Sequence, residues 1–121
     1  MISIVTVVFN NKEGIKKTLH SLRNINCEDF QHIIVDGNSN DGTLEIIKKY
    51  EFVNKIIISE SDEGIYHAMN KGISHATGNY IVFLNSGDTV TEDFLSMPKI
   101  INKNEYDFYY SGLIFVGRRE K

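Results

Sequence analysis

Short apolar and β-branched runs recur along the chain, each followed by a polar turn. The first run, Ile2–Phe9, is nearly unbroken, which is typical of a strand that is covered on both faces. Further strands are predicted at His32–Val35, Lys55–Ser59, Tyr80–Leu84 and Asp107–Tyr110.

Between these runs, apolar residues recur three and four positions apart, which predicts amphipathic helices. The helical patterns cover Ile15–Ile25, Thr43–Tyr50 and Ile65–Ala76. Thr89–Glu92 has the spacing of a capping box, so a further helix is expected to begin there and run toward Ile101. Because strands and helices alternate, we expect an α/β fold with a mostly parallel sheet and helices on both faces.

Composition narrows the functional classes. The chain has 121 residues, 41% hydrophobic and 24% charged, the balance of one globular domain, and we predict neither a linker nor a second domain. A formal net charge of -3 gives no basic excess for nucleic acid, which we do not expect as a partner.

Cys27 is the only cysteine, which fits a reducing compartment, and no apolar run reaches the roughly 20 residues that span a bilayer. We expect a cytoplasmic protein; association with the inner face of the membrane and homo-oligomerisation are left open.

Acidic and amide side chains concentrate just after the predicted strands. Ligands of open parallel sheets bind outside the carboxyl ends of the strands, so these segments are expected to share one edge. They contain neither a G-x-G-x-x-G turn nor the Gly-Lys-Ser/Thr ending of a P-loop. Acidic loops suit a phosphorylated ligand when a divalent cation such as Mg²⁺ or Mn²⁺ lies between carboxylate and diphosphate. The segments are Asn10–Asn11, Asp36–Thr43, Glu60–Gly64 and Asn85–Asp88.

Four motifs occur in order at these strand ends. They are Thr6–Asn10, Val35–Thr43, Ser59–Gly72 and Phe83–Asp88. By these motifs the chain resembles family 2 glycosyltransferases of the GT-A fold over essentially its whole length. The third motif is similar to that of the subgroup that builds bacterial surface polysaccharides of the O-antigen, capsule and colanic acid type.

The resemblance implies a nucleotide-sugar-binding domain over residues 1–121, with a Rossmann-like GT-A sheet. It implies inverting transfer of a sugar from a UDP-sugar or another nucleotide sugar to a glycan or lipid-linked acceptor, with Mn²⁺ or Mg²⁺ as cofactor. In relatives the acceptor half and the catalytic base follow the region present here, so we expect this chain to bind donor better than it catalyses. The sugar, the nucleotide and the base are left open.

The resemblance also assigns roles to single positions. Thr6, Asn10 and Asp36 are expected to line the nucleoside pocket, with Asp36 facing the base. Asp62 and Asn70 correspond to polar positions near the nucleotide and the sugar.

The fourth motif stands in the place of the family's acidic metal motif. Asp88 matches its last aspartate and is the expected metal ligand, with Asn85 among the donor contacts. Asn85 and Gly87 stand where many relatives carry aspartates, as does Gly37 in the second motif. We therefore expect weak metal binding until the diphosphate adds oxygen ligands.

Several alternatives stay open. For Asp36, a turn-forming role is the alternative to contact with the base. Asp41 is expected to cap the second helix together with Ser39. Lys71 either approaches a phosphate or lies solvated on a helix face. The four histidines are expected at the surface or its boundary.

Two other functions compete with sugar transfer. A catalytically silent nucleotide-sugar-binding or assembly domain is the alternative to a transferase. A GT-A nucleotidyltransferase would need a glycine-rich basic loop after the first strand, and the sequence lacks one.

Overall fold

The computed structural model describes residues 2–23, 25, 30–52, 54–90, 108–111 and 114–118. Its elements are β1 (Ile2–Val8), α1 (Lys12–Leu22), β2 (Phe30–Asp36), α2 (Thr43–Lys49), β3 (Lys55–Ser59), α3 (Ile65–His75), β4 (Tyr80–Phe83), β5 (Phe108–Ser111) and β6 (Ile114–Arg118). Most of the helix predicted from Thr89–Glu92, and Cys27, lie outside the described residues. Among the described residues, no helix is long and apolar enough to cross a membrane.

The strands form one sheet in the order β3-β2-β1-β4-β6-β5. The first four strands pair in parallel, which confirms the predicted mostly parallel α/β sheet. β6 pairs antiparallel with both β4 and β5. Only two residues separate β5 from β6, and a connection that short permits only antiparallel pairing. The predicted fifth strand is therefore present as one arm of an edge hairpin.

Helices cover both faces of the sheet, as predicted. β1 and β2 are buried along their whole lengths. On one face, Val5 and Val7 of β1 share a core cluster with Ala68 of α3. On the other face, Val8 shares a cluster with Ile15 of α1 and residues of α2. The parallel sheet therefore lies between α3 on one side and the pair α1 and α2 on the other.

Two local features set the helix positions near the sheet edge. α1 begins earlier than its apolar pattern predicts, because the Asn11 side chain caps it by accepting a hydrogen bond from Gly14 N at 3.1 Å. α3 packs closely on β1 at Gly72, where an added Cβ would lie 2.3 Å from Val5 Cγ1. Glycine is therefore needed at this contact, since a side chain would push α3 off the sheet.

Candidate functional site

The candidate site lies at the carboxyl edge of the four parallel strands. Val8 pairs with Asp36, and Asp36 pairs with Ser59, so β1, β2 and β3 end at the same level. β4 runs parallel to β1, and its loop bonds back to it, with Ser86 N donating to Val7 O at 3.1 Å. The loops after all four strands therefore meet at one edge.

A cleft of about 350 Å³ opens at this edge between the end of β1, the loop after β3, the start of α3 and the loop after β4. Val7, Val8 and Ala68 are the buried part of its wall. The side chains that can meet a ligand here are aromatic, acidic, amide and aliphatic: Phe9, Asp62, Ile65, Asn85 and Ser86. Asp62 and Asn85 are thus the two predicted contact residues that the structure brings to one cleft.

Phe9 is a cleft residue for which the sequence predicted no role in the site. It follows β1 directly, and 63% of it is exposed. Its position within the first motif was the only indication of a role in the site. In the sequence, however, an aromatic residue at the end of an apolar run cannot be distinguished from a buried residue of the strand. An exposed ring beside acidic and amide groups can stack on a flat ligand group.

Asp36 is fully buried at the end of β2 and braces the loop that follows it. Its Oδ2 accepts hydrogen bonds from Ser39 N at 3.1 Å and from Ser59 Oγ at 2.8 Å, and its Oδ1 accepts from Ser39 Oγ at 2.5 Å. Both carboxylate oxygens are therefore engaged inside the protein. These hydrogen bonds agree with the turn-forming role that was the alternative for Asp36. Contact of Asp36 with a nucleobase stays a prediction.

Thr6 is also fully buried, and its hydroxyl lies 2.8 Å from His32 Nε2. The structure does not place it among the residues that line the cleft. Its role in a nucleoside pocket stays a prediction.

His32 corrects the prediction that the histidines lie at the surface or its boundary. It lies in β2, which is covered on both faces, and is fully buried beside the rings of Tyr50 and Phe52. Burial, followed by the positive charge of Lys55, lowers the pKa of His32 to about 3. The imidazole is therefore neutral at neutral pH, and a proton on it would be buried without a counter-charge.

Asn10 joins the loop after β1 to the loop after β2. Its backbone N donates to Ser39 Oγ at 2.8 Å, and its Oδ1 accepts from Asn40 N at 2.8 Å. Its φ of 45° lies in the left-handed region, which asparagine tolerates better than most residues. The side chain thus shapes the edge of the site rather than lining the cleft.

Asp41 lies just before α2 but does not cap it with Ser39 as predicted, since the N-cap is Gly42 and no side chain makes the cap hydrogen bond. Its Oδ1 accepts from Thr43 N at 3.0 Å and from the Thr43 hydroxyl. The hydrogen bond from the Thr43 side chain is the main reason that the pKa of Asp41 is lowered. Ser39 instead bonds to Asp36, so its hydroxyl holds the middle of the loop.

Asp62 enters the cleft from the loop after β3. Its Oδ1 accepts from Gly64 N at 3.0 Å, which fixes the turn into α3. An added Cβ on Gly37 would lie 2.9 Å from Asp62 Oδ2. The glycine that departs from the family pattern therefore makes room for the Asp62 carboxylate.

Of its two predicted roles, Lys71 does not take that of a solvated residue on a helix face, and an approach to a phosphate stays a prediction. Its Nζ lies 3.0 Å from Glu60 Oε1 and donates to Ser61 O at 2.9 Å, and only 16% of its side chain is exposed. It ties α3 to the loop that carries Asp62. Asn70 is exposed on α3 and does not line the cleft, so its contact with a donor stays a prediction.

The loop after β4 forms a tight turn. Asp88 N donates to Asn85 O at 2.9 Å, and Asp88 Oδ2 accepts from Asn85 N at 3.2 Å. Gly87 has a φ of 98°, which favours glycine over any residue with a side chain. Asn85 Oδ1 is buried and has no hydrogen-bond partner within the described part of the chain. One amide oxygen in this turn is therefore left without a hydrogen-bond partner among the described residues.

Polar residues of α1 hold this turn from below. The Thr18 hydroxyl accepts from Gly87 N at 3.0 Å and donates to Asp88 O at 2.8 Å. Ser21 Oγ accepts from Val90 N at 3.2 Å. The sequence did not lead us to predict these positioning residues. The one indication was that Thr18, a polar residue, lies one helical turn from Ile15 and Leu22 on the apolar face of α1.

Comparison with known proteins identifies the family. The sequence profile of Glycosyl transferase family 2 matches residues 3–119. The chain belongs to this family. A relative from Bacillus subtilis (strain 168), named for teichuronic acid biosynthesis as glycosyltransferase TuaG, is 33% identical over 98 residues. That match covers 78% of this chain and 39% of TuaG, so the chain spans about two fifths of the relative's length.

Two solved structures show the same fold. Staphylococcus aureus TarS 1-349 in complex with UDP-GlcNAc superposes with a TM-score of 0.78 at 24% identity, over 88% of this chain and 32% of TarS. The mannosyltransferase PcManGT of Pyrobaculum calidifontis, in complex with GDP-Man and Mn²⁺, superposes with a TM-score of 0.86 at 15% identity, over 98% of this chain and 44% of PcManGT. The glycosyltransferase domain described here therefore has the predicted GT-A, Rossmann-like fold.

The metal expected for a family 2 glycosyltransferase has few protein ligands in this domain. Within the described ranges, no three His, Cys, Asp or Glu side chains gather closely enough to hold an ion. Asp88 would offer a carboxylate, and Asn85 Oδ1, which has no hydrogen-bond partner among the described residues, would offer a neutral oxygen in the same turn. Oxygen donors of this kind fit Mg²⁺ or Mn²⁺, with most of the coordination left to other groups.

Proposed function

We propose that this chain is the donor-binding part of a glycosyltransferase that transfers a sugar from a nucleotide sugar. The observation that carries the proposal is the cleft at the carboxyl edge of the sheet, where Phe9, Asp62 and Asn85 meet. Open α/β sheets bind their ligands at this edge. Family membership supplies the reaction class, and the cleft supplies groups suited to a nucleoside and a sugar.

The donor in this proposal is a UDP-sugar. TarS was solved with UDP-GlcNAc and PcManGT with GDP-Man, so the shared fold serves more than one base. TarS is the more similar of the two in sequence, which favours uridine. The identity of the sugar is left to experiment.

The roles of the residues follow from their exposure and bonding. Phe9 packs its exposed ring against the base, and the free oxygens and amide of Asp62 and Asn85 bond to hydroxyl groups of the donor. Asp36 and Asn10 act by holding the loops in shape, because their polar atoms already bond to Ser39, Ser59 and Asn40.

Asp88 and Asn85 are the residues that would hold the divalent ion, either Mn²⁺ or Mg²⁺. When bound, such an ion offsets the negative charge that develops on the departing diphosphate. Thr18 keeps the turn in place by accepting from Gly87 N and donating to Asp88 O, and Asn11 Nδ2 donates to the Ser86 hydroxyl. Asp88 bonds to Asn85 N through Oδ2, which leaves Oδ1 for a ligand.

The acceptor in this proposal is a bacterial surface glycan or its lipid-linked precursor, and the transfer inverts the anomeric carbon. The similarity to TuaG, named for teichuronic acid biosynthesis, and the third sequence motif support the acceptor class. We assign no general base to the described residues, and we propose that this chain alone is weakly active or inactive.

Calorimetric titration tests the proposal directly. The protein is titrated with UDP, UDP-GlcNAc and GDP-mannose, each with and without Mn²⁺. We expect saturable binding of at least one nucleotide, strengthened by Mn²⁺ and weakened by Phe9→Ala. Exposed Phe9→Ala should leave the fold intact, which circular dichroism checks. Failure of the folded protein to bind any nucleotide would overturn the donor site and favour an assembly role.

A further inference from the structure

A second groove lies on the outer side of the helix pair, away from the cleft. It lies between α1 and α2 and has a volume of about 570 Å³. Its floor contains the buried side chains of Leu19 and Tyr50 and the half-buried Ile46. Its rim consists of five basic or titratable side chains, all exposed: Lys16, Lys17, His20, Arg23 and Lys49.

The charge of this face is opposite to that of the whole chain. The formal net charge is -3, yet α1, α2 and the residue after α1 carry six of the thirteen Lys and Arg residues against two acids, Glu13 and Glu45. The six are Lys12, Lys16, Lys17, Arg23, Lys48 and Lys49. Within the described residues, Lys16 alone of the rim has a carboxylate within 4 Å, a 3.4 Å contact with the exposed Glu13. The rim therefore presents largely uncompensated positive charge.

Helix capping explains only part of this pattern. Cations near a helix C-terminus interact favourably with the helix dipole, and this accounts for Lys49 and Arg23. The dipole effect fades within the last turn, so it gives no reason for Lys16 and Lys17 in the middle of α1. Lys16, His20 and Arg23 follow one another at helical spacing along one stripe. A stripe of this kind suits an extended anionic partner.

We propose that the groove between α1 and α2 docks on a membrane surface rich in anionic phospholipid. Lysine side chains are flexible point charges that contact many phosphates without a fixed geometry, as a fluid lipid surface requires. The aromatic ring in the groove, that of Tyr50, is buried, which disfavours base stacking with a nucleic acid. The rim lies roughly 8 to 18 Å along α1 from the cap residue Asn11 at the cleft edge. Docking here keeps the donor cleft near the membrane.

Vesicle flotation tests this proposal without donor or metal, so its failure leaves the proposed sugar transfer untouched. The protein is mixed with vesicles of phosphatidylcholine alone or with phosphatidylglycerol. We expect binding to the anionic vesicles only, and release when NaCl is raised from about 0.05 to 0.5 M. Each cation near such a surface changes partitioning about fivefold, so Lys17→Glu/Lys49→Glu should lose at least about 25-fold.

The matched control is Lys12→Glu/Lys48→Glu, which makes the same charge change on the same helices outside the groove. It should lose much less binding than the groove variant, and both should keep the circular dichroism of the parent. Three results would overturn the proposal: no preference of the parent for anionic vesicles, equal losses in the two variants, or equal affinity for a DNA duplex. Displacement from vesicles by millimolar inorganic phosphate would likewise show a small-anion site and overturn docking on lipid.

Discussion

β2 and β4 flank β1 and end at the same edge of the sheet, but their loops are held in different ways. β2 ends in Asp36, which collects the hydrogen bonds of Ser39 and Ser59 within its own loop and its neighbour strand. β4 ends in a turn that depends on Thr18 of α1, far away in sequence. The loop after β2 is therefore braced by its own Asp36 and by the ends of the neighbouring strands, whereas the loop after β4 is braced by a helix.

The strands that precede these loops differ in the polarity of their buried side chains. β2 buries the polar side chains of Gln31 and His32, whereas β4 is apolar throughout, with Ile81 and Val82 in the core. Buried polar groups make a structure sensitive to protonation and to loss of one partner. The comparison teaches that changes in β2 should act on folding, and changes around the loop after β4 should act on ligand binding.

The largest expected effect is acid destabilisation through His32. Its folded pKa of about 3 lies below the value of 6.5 for the unfolded chain, so the unfolded state binds more protons between these two values. Stability should therefore fall as pH drops below 6.5, by about 3 kcal/mol at pH 4 from this group. Urea unfolding at several pH values measures it. His32→Leu should be less stable at pH 7 but should flatten the pH slope; an unchanged slope would contradict the assignment.

Next in size is the loss from Asp36→Ala. Removal of the carboxylate leaves Ser39 N and Ser59 Oγ without their partner, and we expect a loss of about 3 kcal/mol in the free energy of unfolding. Asp41→Ala is the matched control on the same loop, because its carboxylate is exposed. It should cost clearly less. Equal losses in chemical denaturation would show that Asp36 does not brace the loop.

Thr18→Val tests the brace from α1. The change keeps the shape but removes the hydroxyl that bonds to Gly87 and Asp88, and we expect a loss of about 2 kcal/mol in stability. Metal-dependent affinity for UDP should fall by more than about tenfold, as the turn loses its position. Thr18→Ser retains the hydroxyl and should restore most of that affinity. A stability loss with unaltered nucleotide affinity would reduce Thr18 to a purely structural residue.

The smallest effect on folding, and the most selective effect on binding, is expected for Asp88→Asn. Asparagine can still accept from Asn85 N, so stability should change by less than about 0.5 kcal/mol. The Mn²⁺-dependent part of UDP binding should disappear, because a ligand carboxylate is lost. Titration with and without Mn²⁺ measures it. A variant that retained the full metal dependence would exclude Asp88 as the ligand, and a large drop in melting temperature would show that Asp88 mainly braces the turn.

Local pattern was sufficient for most of the fold. The apolar run of β1, the alternation of strands and helices, and the polar segments after each strand all follow from neighbouring residues. Parallel order then brings Asp62 and Asn85 to one edge without any further information. Asp41 at the start of α2 is likewise a local feature, since its partner Thr43 is two residues away.

The sequence by itself determined the parallel strands, the helices between them and the edge where their loops meet, because these depend on spacing along the chain. Tertiary structure decided which side chains at that edge are buried and which line the cleft. The side chains of Asp36 and Thr6 are fully buried, whereas Phe9 resembles a core residue in the sequence but is exposed. Thr18 reaches Asp88 across 70 residues. Hydrogen bonds between distant segments leave no periodic signal, so only the packed fold reveals them.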